Sequence, residues 1–281
     1  MNRVGVVGAG TMGNGIAQVF ATQGTAVTLV DVAPAVIQKA LGTIEKSVRK
    51  LAEKAGKDAN AVAPEVMGRI STSGTLDVLG GCDLVVEAVF EDFEVKKQVL
   101  PKIDAVIPEA AILATNTSSI SITKLAALTK RPERVIGMHF MNPVPLMSLV
   151  EIIRGHLTSD ATTNAVLETV KALGKVPVPA NDYPGFVANR ILMPMINEGV
   201  YCLMEGVATA ADIDQVMKLG ANHPMGPLAL ADLIGLDVCL AIMDVLHREL
   251  GDSKYRPCPL LRRMVAAGLL GRKTKRGFYQ Y

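Results

Sequence analysis

The sequence predicts an α/β protein with an N-terminal Rossmann-like, doubly wound, mostly parallel sheet and an all-helical C-terminal domain. In the N-terminal part, short β-branched runs alternate with helical patterns, which is typical of βαβ units. Beyond about residue 184 only helical patterns remain. Pro184-Gly185 marks the junction, because proline and glycine together break periodic secondary structure. The 281 residues suit one large and one smaller domain. We therefore expect domains at 1–184 and 185–281.

The expected elements of the first domain are strands and helices in alternation. The strands are Arg3–Gly8, Ala26–Asp31, Arg69–Thr72, Asp83–Glu87, Ala111–Thr115 and Val135–His139. The helices between them are Met12–Thr22, Pro34–Lys54, Glu94–Val106 and Thr123–Leu128. In the second domain the expected helices are Ala188–Glu205, Ala210–Leu219, Ala229–Ala231, Val238–Leu250 and Pro259–Ala267.

Composition excludes several classes of function. The net charge of +2, from 29 basic and 27 acidic residues, provides no general field for nucleic acid. The four cysteines have no CxxC or paired metal-type spacing, which predicts neither disulfides nor a metal site and favours a reducing, cytoplasmic location. The longest apolar stretch, residues 226–243, contains Asp232 and Asp237, so it predicts buried helices rather than a membrane span.

A glycine-rich turn follows the first strand. Gly8, Gly10 and Gly13 form a GxGxxG pattern between that strand and a helix. The first glycine permits a tight turn, the second lets the backbone approach a pyrophosphate, and the third allows close packing of helix and strand. Thr11 and Met12 open the helix, whose N-terminal amides attract negative charge. These five positions are predicted to bind a dinucleotide.

Asp31 closes the second strand, where the same motif places an acidic residue. Its carboxylate would accept hydrogen bonds from the ribose hydroxyls and repel a 2′-phosphate. No arginine or lysine follows before Lys39. The sequence therefore predicts NAD rather than NADP as the cofactor.

Polar residues stand at the ends of other strand-like runs, where ligands bind in open α/β sheets. They are Glu87, the segment 116–119 (Asn-Thr-Ser-Ser), His139 and Glu151. Asn116 is expected to contact the cofactor. Each also has an ordinary interpretation: His139 as a structural histidine, the two serines as helix caps, and Glu151 as a surface carboxylate. Their shared position near a dinucleotide site favours a functional one.

Longer motifs make the sequence resemble the L-3-hydroxyacyl-CoA dehydrogenase family, in particular its bacterial 3-hydroxybutyryl-CoA members. They cover nearly the whole chain. The motifs are VGAGTMGNGIAQ (7–18), ATNTSSISIT (114–123), GMHFMNPVP (137–145), VEII (150–153), PGFVANRI (184–191), GANHPMGPLALADLIGLD (220–237) and LGRKTKRGFY (270–279).

The resemblance implies a chemical role for four residues. His139 is implied as the general base that takes the 3-hydroxyl proton, with Glu151 orienting its imidazole. Ser118 and Asn189 are implied to hydrogen-bond the reacting oxygen or the thioester carbonyl. The implied reaction is oxidation of a 3-hydroxyacyl-CoA to the 3-oxoacyl-CoA, or its reversal.

The resemblance also implies ligand contacts elsewhere in the chain. The NAD contacts are Glu91, Lys96, Ser118, Asn142 and Lys273, and the CoA contacts are Ser47 and Lys54. Ser47 and Lys54 are seven residues apart, hence on one helical face. A solvated surface lysine is the ordinary interpretation of Lys54.

Two positions depart from the family pattern. Lys275 stands where the terminal motif commonly has glycine, and Tyr183 replaces a small residue before Pro-Gly. We expect the first to alter a turn near NAD and the second to affect chain-length preference.

Two expectations concern alternatives and assembly. A dehydrogenase of a free hydroxy acid or sugar acid on the same fold is the alternative activity, and a non-catalytic NAD-binding protein is another. Residues 188–205 and 226–250 are apolar over more than one stripe, which predicts a homodimer through the helical domain, although such helices also suit an internal core.

Overall fold

The computed structural model describes residues 1–281, which divide into two compact units, Met1–Asp182 and Tyr183–Tyr281. The strands of the N-terminal unit are β1 (Arg3–Val7), β2 (Ala26–Val30), β3 (Ile70–Ser73), β4 (Leu84–Glu87), β5 (Ile112–Thr115), β6 (Val135–Phe140), β7 (Leu149–Arg154) and β8 (Val176–Asn181). Its helices are α1 (Thr11–Thr22), α2 (Pro34–Lys54), α3 (Ala59–Met67), α4 (Phe93–Val106), α5 (Ile122–Ala126) and α6 (Asp160–Ala172).

The eight strands form one sheet in the order β3-β2-β1-β4-β5-β6-β7-β8. Strands β1 to β6 pair in parallel, β7 runs antiparallel to β6, and β8 runs parallel to β7. The order reverses between β1 and β4, and ligands bind at such a switch point in open α/β sheets. The predicted fold class is confirmed.

The expected count of six strands was wrong, because β7 and β8 were missed. Glu151 was expected to end the short apolar run 149–150, whereas it is the third of the six residues of β7. Strand β8 (VPVPAN) lies at the end of the sheet, is mostly exposed, and contains two prolines, so it lacks the apolar run of a central strand.

The core of the N-terminal unit surrounds its central strands. Every residue of β4, β5 and β6 is buried, as in parallel sheets covered on both faces. Helix α1 contributes Ile16 and Phe20 to this core, and α2 contributes Ile44. Complete burial of such a side chain stabilises the fold by about 1.5–3 kcal/mol.

The C-terminal unit is built from five helices around a core of its own. They are α7 (Ala188–Met204), α8 (Ala210–Gly220), α9 (Pro227–Ile234), α10 (Leu236–Leu250) and α11 (Pro259–Ala266). Asp214 of α8, which is 5% exposed, accepts hydrogen bonds from the amides of Leu228 and Ala229 at 2.8 and 2.9 Å. Asp232 of α9 accepts from the amides of Phe278 and Tyr279, both at 2.9 Å. Two buried carboxylates thus tie α8, α9 and the last residues together.

None of the helices combines the length and the apolar character that a membrane crossing requires. No group of three or more His, Cys, Asp or Glu side chains is arranged to hold a metal ion.

Candidate active site

The glycine turn joins β1 to α1, and two of its three motif glycines leave no room for a side chain. Gly8 has φ 101°, and a Cβ there would lie 2.5 Å from the carbonyl oxygen of Ala88. A Cβ at Gly13 would lie 1.7 Å from the Gly8 carbonyl oxygen. These two glycines therefore set the close packing of β1, α1 and the segment after β4.

The start of α1 is shaped to accept an anion. Gly10 is the N-cap residue and provides no side-chain acceptor for the first-turn amides of Thr11, Met12 and Gly13. A Cβ at Gly10 would meet no heavy atom within 4 Å. Open space beside unsatisfied amides at the positive end of a helix dipole fits the pyrophosphate of a dinucleotide.

Asp31 lies just after β2, and each of its carboxylate oxygens accepts a hydrogen bond from a backbone amide. Its Oδ2 accepts a hydrogen bond from the Ala9 amide at 2.9 Å, and its Oδ1 accepts from the Ala33 amide at 2.9 Å. The carboxylate therefore holds the glycine turn against the end of β2. Each oxygen keeps a further lone pair for a ribose hydroxyl.

A buried ion pair lies beneath the carboxyl ends of β4 and β5. The Nζ of Lys96, on α4, lies 2.8 and 2.9 Å from the two carboxylate oxygens of Glu87. Glu87 also accepts from the Thr115 hydroxyl at 2.6 Å and from the Val89 amide at 2.7 Å. Lys96 and Glu87 are 1% and 0% exposed. Lys96, predicted as a cofactor contact, thus has its ammonium inside the protein.

Glu91 organises the loop that carries Ser118. Its Oε1 accepts from the Thr117 hydroxyl at 2.6 Å and from the amides of Ser118 and Ser119 at 2.7 and 3.0 Å. Its Oε2 lies 3.5 Å from the Lys96 Nζ. The buried ion pair and the loop therefore belong to one charged network.

The interpretation of the two serines as helix caps was wrong. Helix α5 begins at Ile122, and its N-cap is Ser121, whose hydroxyl accepts from the Lys124 amide. Ser118 and Ser119 precede that cap and are half-buried.

Two asparagines flank the end of β6. Asn116 is 8% exposed, and its Oδ1 accepts from the Phe140 amide at 3.0 Å, which ties the loop after β5 to β6. Asn142 follows β6 and is exposed.

His139 and Glu151 lie opposite each other in the β6–β7 register. The His139 Nδ1 is 2.8 Å from the Glu151 Oε2, and the two residues are 6% and 2% exposed. An ionised carboxylate only accepts hydrogen bonds, so we assign the proton of this contact to Nδ1. That tautomer makes Nε2 the basic nitrogen. The geometry is that of a histidine base oriented by a carboxylate.

The remaining predicted residues lie elsewhere. Ser47 is half-buried and Lys54 exposed, both on α2. In the helical unit, Asn189 stands in the first turn of α7 and is 8% exposed. Lys273 of that unit pairs with Asp237 of α10.

The sequence placed Glu87 and Thr117 at the ends of strands but gave neither residue a role in the site. The signal for Glu87 was present, since it ends an apolar strand, but its buried partner is nine residues away on a helix. Thr117 was noted only as part of the segment 116–119, because its role depends on a hydrogen bond to Glu91, 26 residues earlier.

Comparisons with known proteins agree over the full length of the chain. Residues 3–183 match the family model described as the NAD binding domain of 3-hydroxyacyl-CoA dehydrogenase, and residues 185–281 match its C-terminal domain. The "Probable 3-hydroxybutyryl-CoA dehydrogenase" of Deinococcus radiodurans is 57% identical over 99% of this chain and 100% of that protein. The 3-hydroxybutyryl-CoA dehydrogenase of Bradyrhizobium diazoefficiens is 54% identical over 100% of this chain and 96% of that protein.

A solved structure shows the same similarity. The (S)-3-hydroxybutyryl-CoA dehydrogenase of Ralstonia eutropha superposes with a TM-score of 0.96 at 54% identity, covering 100% of this chain and 99% of that one. With both family models matched and relatives this similar over their full length, the chain belongs to the 3-hydroxyacyl-CoA dehydrogenase family.

Proposed function

We propose that this protein catalyses the NAD-dependent oxidation of a short-chain (S)-3-hydroxyacyl-CoA, such as 3-hydroxybutyryl-CoA, to the 3-oxoacyl-CoA, and the reverse reduction. The observation that carries the proposal is the buried His139–Glu151 contact of 2.8 Å in a member of this family. The names of the relatives support the short-chain substrate.

His139 is the general base of the proposed oxidation. Its Nε2 takes the proton of the 3-hydroxyl as the C3–H bond breaks, and the resulting imidazolium is stabilised by Glu151 through Nδ1–H. In the reduction, the same imidazolium returns the proton to the 3-oxo group. Burial of the pair excludes water from Nδ1, so the carboxylate interaction is not screened.

The dinucleotide is proposed to bind over the glycine turn. The first-turn amides of α1 hold its pyrophosphate, and Asp31 accepts from the adenosine ribose. Bound NAD⁺ supplies the acceptor for the two electrons and the hydrogen that leave C3. The other proposed contacts are Glu91, Lys96, Asn116, Ser118, Asn142 and Lys273. For Lys96 the geometry supports an indirect role, because its ammonium is occupied by Glu87.

The acyl-CoA substrate is proposed to contact four residues. Ser118 and Asn189 donate hydrogen bonds to the reacting oxygen or the thioester carbonyl, where negative charge develops. Ser47 and Lys54 bind the CoA moiety. Their spacing on α2 corresponds to a rise of about 10 Å along one face.

Steady-state kinetics test the activity and the role of CoA together. We expect turnover of acetoacetyl-CoA with NADH and little turnover of free acetoacetate. Lys54→Ala should raise the KM for acetoacetyl-CoA and leave that for NADH unchanged, whereas the nearby exposed Lys57→Ala should change neither. Equal turnover of the free acid would instead favour the alternative substrate class.

The organisation of the protein is part of the proposal. We infer that 1–184 is the NAD-binding domain and that 185–281 carries substrate contacts and the homodimer interface. Support for the interface comes from exposed apolar side chains of the helical unit, including Ile191, Val216 and Leu219 at 68%, 65% and 76% exposure. Light scattering should show a dimer that Ile191→Glu weakens and Val78→Glu, in the other unit, does not. The four free cysteines support a reducing, cytoplasmic location.

A further inference from the structure

Lys175 is a buried lysine with no acidic partner. It stands just before β8 and is 8% exposed. Its Nζ donates hydrogen bonds to two backbone carbonyl oxygens, those of Val144 at 2.7 Å and Met147 at 2.6 Å. Burial lowers the pKa of Lys175, and no neighbouring charge offsets that effect.

A buried ammonium group is energetically unfavourable if its only function is to fill space in the core. Its transfer from water into the protein is costly unless hydrogen bonds compensate, and an apolar side chain of similar length would avoid that cost. Here the compensation comes entirely from one loop, residues 141–148, since both acceptors belong to it. The ammonium and the conformation of this loop therefore stabilise each other.

The same loop is held from its other side by α1. The Val144 side chain is 2% exposed. It packs so closely on Gly15 that a Cβ at Gly15 would lie 2.8 Å from the Cβ of Val144. Within the loop, the amides of Leu146 and Met147 both donate to the Pro143 carbonyl at 3.0 Å. The loop is thus fixed between Lys175 and the helix that follows the glycine turn.

The position of the loop in the chain links it to the proposed chemistry. It connects β6 to β7, so His139 comes shortly before it and Glu151 shortly after it. It also carries Asn142, which is exposed at the end of β6. A shift of the loop would move Asn142 directly and would change the ends of the two strands that hold His139 opposite Glu151.

We propose that Lys175 is a positioning residue for the dehydrogenase reaction: its buried ammonium holds loop 141–148 so that Asn142 faces the dinucleotide site and His139 stays aligned with Glu151. Lys175 touches neither ligand in this role and acts through the loop. The proposal rests on the proposed function, since the reaction that it assists is the one inferred above.

The test compares two variants. Lys175→Met keeps the length of the side chain but removes its charge and its hydrogen-bond donors, whereas Lys175→Arg keeps the charge and the donors. Three quantities are measured: kcat with acetoacetyl-CoA and NADH, the Kd of NADH by fluorescence titration, and hydrogen exchange of the loop amides. For Lys175→Met we expect kcat to fall by about 10- to 100-fold, the loss typical of a displaced catalytic group. We expect the Kd of NADH to rise by about tenfold, as for one lost hydrogen bond to a charged group.

Hydrogen exchange should locate the change. In Lys175→Met the amides of Leu146 and Met147 should exchange faster while those of α2 stay protected, and Lys175→Arg should recover most of the loop's protection. Two controls are matched to the possible side effects. Lys171→Met removes an exposed lysine of α6 that pairs only with Glu168. Val170→Ala lowers stability from a buried position of the same helix and leaves the Lys175 side chain and its two carbonyl acceptors in place.

Several outcomes would overturn the proposal. One is a folded Lys175→Met protein with wild-type kcat, Kd and loop exchange, and another is a Val170→Ala protein that shows the same losses at equal stability. If Lys175→Met does not fold, Lys175→Gln and Lys175→Arg are measured instead. If none of the three folds, Lys175 is required for the whole fold and the local role is wrong. NADH binding and exchange need no turnover, so they still test Lys175 if wild-type protein fails to reduce acetoacetyl-CoA and the proposed function falls.

Discussion

At the scale of single residues, the contact between His139 and Glu151 allows charge to be tested separately from size. Glu151→Gln preserves the size of the side chain and its ability to accept a hydrogen bond, but removes the negative charge that stabilises the protonated imidazole. We expect kcat to fall by about 10²-fold or more, as for loss of assistance to a general base. NADH affinity should be nearly unchanged.

The double variant shows whether the two residues act as one unit. Adding His139→Ala to Glu151→Gln should cause little further loss, since the carboxylate acts only through the imidazole. Losses that multiply would mean that Glu151 acts independently, and near wild-type turnover of Glu151→Gln across pH would mean that it is structural.

Asp31 has two functions that substitution should separate. We expect NADH to be preferred over NADPH, and Asp31→Ala to narrow that preference mainly by weakening NADH. Because both oxygens also accept backbone amides, Asp31→Ala should loosen the glycine turn, whereas Asp31→Asn should retain part of the turn and still lose the charge. Dissociation constants for both dinucleotides measure this. Wild-type preference for NADPH would contradict the assignment.

At the scale of elements, the Glu87–Lys96 pair joins β4, α4 and β5. Lys96→Met would leave a buried carboxylate without its partner and should lower the free energy of unfolding by about 3–5 kcal/mol. Adding Glu87→Gln to Lys96→Met should restore part of the lost free energy of unfolding, because the uncompensated carboxylate charge is removed. The control is Lys97→Met on the same helix, where an exposed lysine pairs with Glu94 and the change should stay within about 0.5 kcal/mol. Urea unfolding measures all three, and equal losses at positions 96 and 97 would contradict the argument.

Two helix glycines should respond to alanine with opposite signs. Gly15→Ala forces a Cβ against Val144 and should lower the free energy of unfolding by about 1–3 kcal/mol. Gly42→Ala, within α2, meets no heavy atom within 4 Å and should raise it by about 0.5–1 kcal/mol through helix propensity. Thermal unfolding of both variants compares them directly. A stabilising Gly15→Ala would mean that the loop yields easily.

Local patterns predicted the elements with strong periodicity and missed those that depend on their neighbours. Helix α2 was predicted with its observed bounds, Pro34–Lys54, because its apolar residues recur at helical spacing. Helix α6 (DATTNAVLETVKA) was missed because five of its 13 residues are β-branched threonines or valines, which favour strands locally. The pairing of His139 with Glu151 could not be predicted from spacing, because it depends on the antiparallel register of β6 and β7. Only the resemblance to a family linked the two residues.

At the scale of the whole molecule, alkaline stability should be limited by the helical unit. Burial is the main cause that raises the pKa of Cys239 to about 12, and it also raises the pKa values of Cys258, Tyr279 and Tyr281 in that unit. In the N-terminal unit, burial also raises the pKa of Cys82, but it lowers the pKa of Lys175. A raised pKa means that the folded state holds the proton more tightly, so stability is full below the ordinary value and falls as pH rises above it.

The expected result is a loss of stability between pH 9 and pH 11 that begins in residues 183–281, beyond the ordinary thiol value of 9.0. The lowered pKa of Lys175 has the opposite effect on stability. As pH approaches 10.5, Lys175 loses its proton more readily in the folded state than in the unfolded state, which favours the folded N-terminal unit. Hydrogen exchange at stepped pH locates the loss, and Cys239→Ala should flatten its slope. Earlier opening of the N-terminal unit would contradict the prediction.

The two prolines of β8 determine how the sheet ends. The Val176 amide donates to the Ser148 carbonyl, so its alternate neighbours, Pro177 and Pro179, have their nitrogens on the side away from β7. Proline has no N–H, and this border of the sheet therefore lacks the donors that an added strand would need. Neither a strand exchanged with another copy nor growth into a cross-β aggregate can extend the sheet there. Such a border therefore disfavours edge-to-edge association of this sheet with the sheet of another copy.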